Sequence, residues 1–323
     1  MKNINIIFDT NAYRILTYSL TPSQVAELFT KIKKAEHSRN ITGLLTGVTA
    51  IELLSHLAHK ADPGYESCKV ATIGAGLHVT AEDQFNFIPH VALQLQQLIF
   101  GELDTVGVRG AQAMAGLVHK ISIGDPEEMI DLYNDDLNEF HRLVQLHKKD
   151  FIATTQREAL NTDPDSASGH LFKEDKHRRQ KLLKLLKTES AMMVQAEGYF
   201  DKTVAGFPLY YNAAEKAQKI SEIAYYFKAA LTLHLKIIER MATNGFDMTD
   251  NKKNRANTIF DVYQLFNVSD ETIQGKPSIF VTNDKWLIDV ATECGFSKRV
   301  VSLRTYLDNL GFDVNNTFTN LNE

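Results

Sequence analysis

Ile4-Asn5-Ile6-Ile7-Phe8-Asp9-Thr10-Asn11 opens the chain and decides its fold. A short run of bulky apolar residues goes straight into an acid. Its length and its polar ending predict a buried β-strand rather than a helix. A second run of the same kind, Ser278-Ile279-Phe280-Val281, ends at Thr282-Asn283-Asp284. Two strands that each deliver an aspartate predict one parallel sheet with both acids along its carboxyl edge. That is the edge where open α/β sheets bind ligands. Carboxylates collected there repel one another, and a hard divalent cation with oxygen ligands is the usual remedy.

Working outward, Thr21-Pro22-Ser23-Gln24 reads as a helix start, with Thr21 as N-cap and proline in the first turn. Val25, Leu28, Phe29 and Ile32 follow at helical spacing. A short strand is expected within residues 40–48. A helix capped by Thr49 comes next and carries Glu52 near its start. After Ala61 the pattern changes. Residues 62–250 hold few strand-like runs and many helical ones, such as Met129, Ile130, Leu137, Phe140 and Leu143. Asn212-Ala213-Ala214-Glu215 resembles a capping box. Residues 161–169 read as an exposed loop, and a boundary is expected around 251–257. The α/β pattern then returns with a helix at Ile259–Leu265, the strand at Ser278, a helix bearing Trp286, Leu287, Val290 and Ala291, and a last strand near Val300. The expected architecture is a three-layer α/β/α domain with a parallel sheet, built from residues 1–61 and 251–323. A large, mostly α-helical insertion, 62–250, interrupts it.

With 44% hydrophobic and 23% charged residues, the chain has the make-up of an ordinary globular protein. It lacks an apolar run of the ~18 residues that a membrane helix needs. No basic stretch followed by a long apolar one marks a secretory signal. The two cysteines, Cys68 and Cys294, form no motif, so free thiols in a reducing cytoplasm are expected. A net charge of −5 argues against a body coated in basic surface. The exception is residues 171–187, where seven Lys and Arg meet only two acids. Arg178, Arg179 and Lys181 are the candidates there for phosphate contact, set against the plain alternative of a solvated helix face.

The ordered set Ile6-Ile7-Phe8-Asp9-Thr10-Asn11, Val48-Thr49-Ala50-Ile51-Glu52-Leu53-Leu54, Asn257-Thr258-Ile259-Phe260-Asp261 and Ile279-Phe280-Val281-Thr282-Asn283-Asp284 resembles the PIN-domain nucleases. The resemblance covers about residues 1–60 and 255–305. It implies a PIN-like domain with an acidic pocket for Mg²⁺ or Mn²⁺ that hydrolyses phosphodiester bonds of RNA, commonly single-stranded. Asp9, Glu52, Asp261 and Asp284 match the family's acids, with Asn11, Thr282 and Asn283 as accessory polar positions. Roughly 200 residues separate Glu52 from Asp261, where a typical member has a short helical span. Possible partners are the RNA substrate, a protein inhibitor or antitoxin as in a toxin–antitoxin pair, and further copies of the chain. No membrane partner is expected.

The chemistry suits these residues. Hydrolysis needs phosphate charge neutralised and water turned into hydroxide, and one or two metal ions do both. Carboxylates would hold the metal while threonine and asparagine orient them. Arg255 and Lys285 flank motif residues and are further candidates for phosphate contact. His56 shares a helix face with Glu52, although its apolar neighbours favour a packing role. Asp289 reads as a solvated helical acid and Trp286 as core. A DNA nuclease with similar acids and an inactive RNA- or protein-binding module are the alternatives. A phosphatase that begins with strand plus aspartate would want a second aspartate two residues on, and position 11 is asparagine.

Overall fold

The computed structural model describes residues 3–81, 84–165, 169–205, 207, 210–246, 255–268 and 276–313. The expected boundary at 251–257 and the expected loop at 161–169 fall partly outside these. The chain begins with β1 (Ile4–Phe8), α1 (Thr10–Leu16), α2 (Pro22–His37), β2 (Ile41–Thr46), α3 (Gly47–Ser55) and α4 (Tyr65–Val79). Three short strands follow, β3 (Thr80–Ala81), β4 (Gln84–Phe85) and β5 (Phe87–Ile88). Then come α5 (Val91–Phe100), α6 (Thr105–Ile123), α7 (Pro126–Leu132), α8 (Asn134–Thr162), α9 (Lys176–Leu185), α10 (Glu189–Val204), α11 (Ala213–Tyr226), α12 (Lys228–Thr243) and α13 (Thr258–Leu265). The described chain closes with β6 (Ser278–Thr282), α14 (Lys285–Glu293), β7 (Val300–Ser302) and α15 (Leu303–Leu310).

Two compact units are present. One comprises Met1–Leu93, Leu103–Val144 and Asn267–Glu323, the other Gln94–Glu102 and Gln145–Phe266. The first holds a five-stranded sheet in the order β5-β2-β1-β6-β7. Every neighbouring pair in it is parallel. From β1 the chain winds to β2 and β5 on one side and to β6 and β7 on the other, so the winding direction reverses between β1 and β6. Ile6, Ile7 and Phe8 are all buried. Successive strand residues face opposite sides, so helices cover both faces of the sheet, in keeping with three layers.

The sheet unit reaches further along the chain than Ala61, and α4 is the reason. This helix packs on α1, α2, α3, α6 and β2. Its glycines allow the approach. A Cβ on Gly74 would sit 2.5 Å from the Phe29 ring, and one on Gly76 would sit 2.4 Å from the Ser122 side chain. β5 pairs with β2 through Leu45↔Phe87 and Thr46↔Ile88, so this stretch of the expected helical insertion adds a strand to the sheet. A buried polar network also crosses this core. His78 of α4 places Nδ1 2.8 Å from the Tyr13 hydroxyl and Nε2 3.0 Å from Glu36 Oε1, while Tyr306 donates to Glu36 Oε1 at 2.6 Å. Burial, reinforced by the Glu36 carboxylate, raises both phenols, so each keeps its proton.

The regular elements among the second unit's described residues are all helical, as the periodicity predicts. α10 packs on α11 and α12, and α12 on α13 and α9. The capping box is present in full, with Asn212 accepting from Glu215 N and the Glu215 side chain accepting from Asn212 N. In the sheet unit Thr21 caps α2 as expected, with a capping box to Gln24. The helix expected at Thr49 begins earlier. Thr46 is its N-cap, and β2 runs directly into it.

Candidate active site

β1 and β6 pair in register through Phe8↔Val281, which brings the next residues, Asp9 and Thr282, side by side. The Asp9 amide donates to Val281 O at 3.1 Å and extends the ladder by one bond. Asp9 then caps α1, its Oδ1 accepting from Ala12 N at 2.5 Å. Its Oδ2 accepts from the Thr282 hydroxyl at 2.5 Å. Thr282 Oγ1 accepts in turn from Asp284 N at 2.9 Å. Asp284 caps α14, with Oδ1 accepting from Trp286 N at 2.7 Å and Leu287 N at 3.2 Å. Two helix starts at the ends of two adjacent parallel strands therefore hold two carboxylates, linked through one threonine. They stand where the winding of the sheet reverses, the ordinary ligand position of an open α/β sheet.

Burial separates Asp9 from an ordinary cap. Asp9 is only 8% exposed. Burial lifts its pKa from 3.8 to about 6. The bonds from Thr282 and Ala12 pull it down, and the Asp284 carboxylate pushes it up. Among the described residues, no cation figures among the groups that act on Asp9. A cap alone would be served by asparagine or serine without this cost.

Glu52 lies in the second turn of α3, because the helix starts earlier than Thr49. It accepts instead from the Thr10 hydroxyl at 2.8 Å, one residue past Asp9. Thr49, expected as a cap, donates its hydroxyl to Phe8 O at 3.1 Å and ties α3 to the end of β1. Thr10 is thus a site residue that sequence reasoning passed over, although it stands inside the quoted motif. Arg14 is another. It lies four positions on from Thr10 in α1, so both occupy one helix face, and its Nε donates to Ser67 Oγ at 3.1 Å. Burial pushes the nearby Cys68 thiol up to about 11, which keeps it protonated and unreactive.

The other candidates fall in different places. Asn11, Asn283, Lys285 and Asp289 are exposed. Trp286 is half-buried rather than a core residue. His56 bonds to Asp62 at 3.0 Å and ends α3, a local structural role. Asp261 lies in the first turn of α13, in the second unit. Arg255 belongs to that unit as well, its guanidinium 4.5 Å from the centre of the Phe246 ring. Arg178, Arg179 and Lys181 are on α9 of the same unit.

Among the described residues, no three His, Cys, Asp or Glu side chains come together as a metal cage. The donor set of Asp9 and Asp284, with Thr282 and the Thr10–Glu52 pair beside them, still fits a hard divalent ion. Mg²⁺ is typically bound by one or two carboxylates and completes its shell with water and substrate phosphate.

The chain matches no protein-family model, no curated protein and no solved structure. Among the described residues, no helix is long and apolar enough to cross a membrane.

Proposed function

We propose that this protein is a PIN-like, metal-dependent nuclease that hydrolyses phosphodiester bonds of RNA, single-stranded RNA first among its substrates. The observation that supports this most is Asp9, buried at the switch point of the sheet and linked through Thr282 to Asp284. Two carboxylates in that position suit a divalent cation. The parallel pairing of β1 with β6 accords with the single parallel sheet expected from the two motifs. The role that the resemblance gives Asp261 is carried by the resemblance alone.

Bound Mg²⁺ or Mn²⁺ would neutralise phosphate charge and lower the pKa of a coordinated water. Asp9 and Asp284 would hold the ion. Thr282 donates to Asp9 and so fixes which oxygen lone pairs point outward. Thr10 donates to Glu52 at 2.8 Å and orients that carboxylate in the same way. Arg14 supplies positive charge on the same face of α1 for a phosphate oxygen. No side-chain nucleophile takes part.

The test incubates purified protein with labelled single-stranded RNA, duplex RNA and single-stranded DNA, each with Mg²⁺, Mn²⁺ or EDTA. Cleavage of single-stranded RNA that needs the metal is the expected result. Cleavage confined to DNA would move the protein to the alternative nuclease class. Binding without cleavage in any metal would make it a binding module.

A further inference from the structure

We propose that α9 is a phosphate-tracking surface that holds single-stranded RNA through its backbone. This helix contradicts ordinary helix design. None of its residues is buried, and it is ten residues long, below the ~12–15 at which isolated helices become even marginal in water. Lys176, Arg178 and Arg179 crowd its N-terminal turn, where the helix dipole is already positive. Lys176 with Arg179, Arg178 with Lys181, and Lys181 with Lys184 are like-charged pairs three residues apart, each repulsive.

Elsewhere on the surface several such helical pairs join opposite charges. Lys69 pairs with Glu66, Arg142 with Glu139 and Lys236 with Glu239. On α9 only Arg178 has a carboxylate partner, Asp175 at 3.5 Å. Among the described residues, Lys176, Lys181 and Lys184 form no ion pair, nor do the flanking Lys173 and Lys187. A solvated face needs no such concentration of one sign. Sequences that break local rules do so where function requires it.

The occupant follows from the chemistry of the face. Leu182, Leu183 and Arg179 are half-buried, and α9 packs on α12. At 3.6 residues per turn, Lys176, His177, Arg178, Lys181 and Lys184 spread over about 200° of the remaining circumference. Of the apolar residues, Leu185 alone projects from it, 53% exposed. A membrane surface would want a broad apolar face, and a protein partner would want aromatic or apolar anchors. A line of phosphates needs only cations. The choice of RNA as the polyanion rests on the nuclease reading, while the cationic surface does not.

The test measures binding of a labelled single-stranded RNA to the full chain in EDTA, across a salt series, so that cleavage plays no part. Lys181→Gln/Lys184→Gln is compared with the charge-matched control Lys31→Gln/Lys34→Gln on α2, whose lysines are likewise exposed. The α9 pair should weaken binding about tenfold at 0.1 M salt and flatten the slope of log K against log salt by about 1.4, two counterions' worth for a single strand. The control should leave the slope unchanged. An unchanged slope in the α9 variant, an equal change in the control, or no RNA binding by the wild type overturns the proposal. Binding to phosphatidylserine vesicles in place of RNA does so too. If α9-dependent binding is found without metal-dependent cleavage, the nuclease reading fails and the surface stands.

Discussion

Asp9 concentrates the conflict between stability and function in one side chain. As an N-cap it stabilises α1, but as a buried anion beside Asp284 it destabilises the fold. Its pKa of about 6 lies above the 3.8 expected of an unfolded carboxyl. Between these values the folded state holds more protons than the unfolded one, so stability falls as pH rises through that window and levels off above it. Two pKa units correspond to about 3 kcal/mol. Asp9→Asn keeps the cap and removes the charge. In EDTA at pH 7.5 it should therefore be more stable than the wild type, by as much as ~3 kcal/mol less the cost of rearranging the bond to Thr282. The difference should shrink toward pH 4. Urea denaturation at both pH values checks this, and a variant less stable than the wild type at pH 7.5 would show that Asp9 is a structural acid.

At the scale of elements, the site exists because two strands end in caps. Ile6-Ile7-Phe8 and Ile279-Phe280-Val281 were legible because a strand covered on both faces is an unbroken apolar run. Asp9 and Asp284 were legible with them. Glu52 was found, but its setting was not. The helix carrying it starts at Thr46, and a threonine at either 46 or 49 reads equally well as a cap. The strand β5 was missed because two residues, Phe87 and Ile88, carry no periodicity. α4 read as helix but not as part of the sheet unit. Ala71 to Gly76 are buried without interruption, so no polar face marks its neighbours. Elements far apart in sequence are joined by side chains that no pattern announces, and the Glu36 carboxylate is the clearest case. Tyr306→Phe removes the hydroxyl that donates to it at 2.6 Å and should cost about 1.5–3 kcal/mol, since the bond is to a buried charged group. Chemical denaturation measures it. A loss below about 0.5 kcal/mol, the range of ordinary surface changes, would mean that α15 is held by packing alone.

For the whole molecule, the two-ended organisation of the sheet was readable from its first and last strands, and so was the helical character of the stretch between. The extent of each unit was not. Membership depends on tertiary packing, as the inclusion of α4 and α6 in the sheet unit shows. The function is proposed from one site and one resemblance. It meets its most direct test in single-turnover cleavage of labelled single-stranded RNA with Mn²⁺, by the wild type, Asp9→Asn and Asp284→Asn. The wild type should cleave, EDTA should abolish the activity, and each variant should lose it by several orders of magnitude while remaining folded. Equal cleavage by Asp9→Asn, or cleavage that persists in EDTA, would contradict the assignment of the acidic site at the ends of β1 and β6.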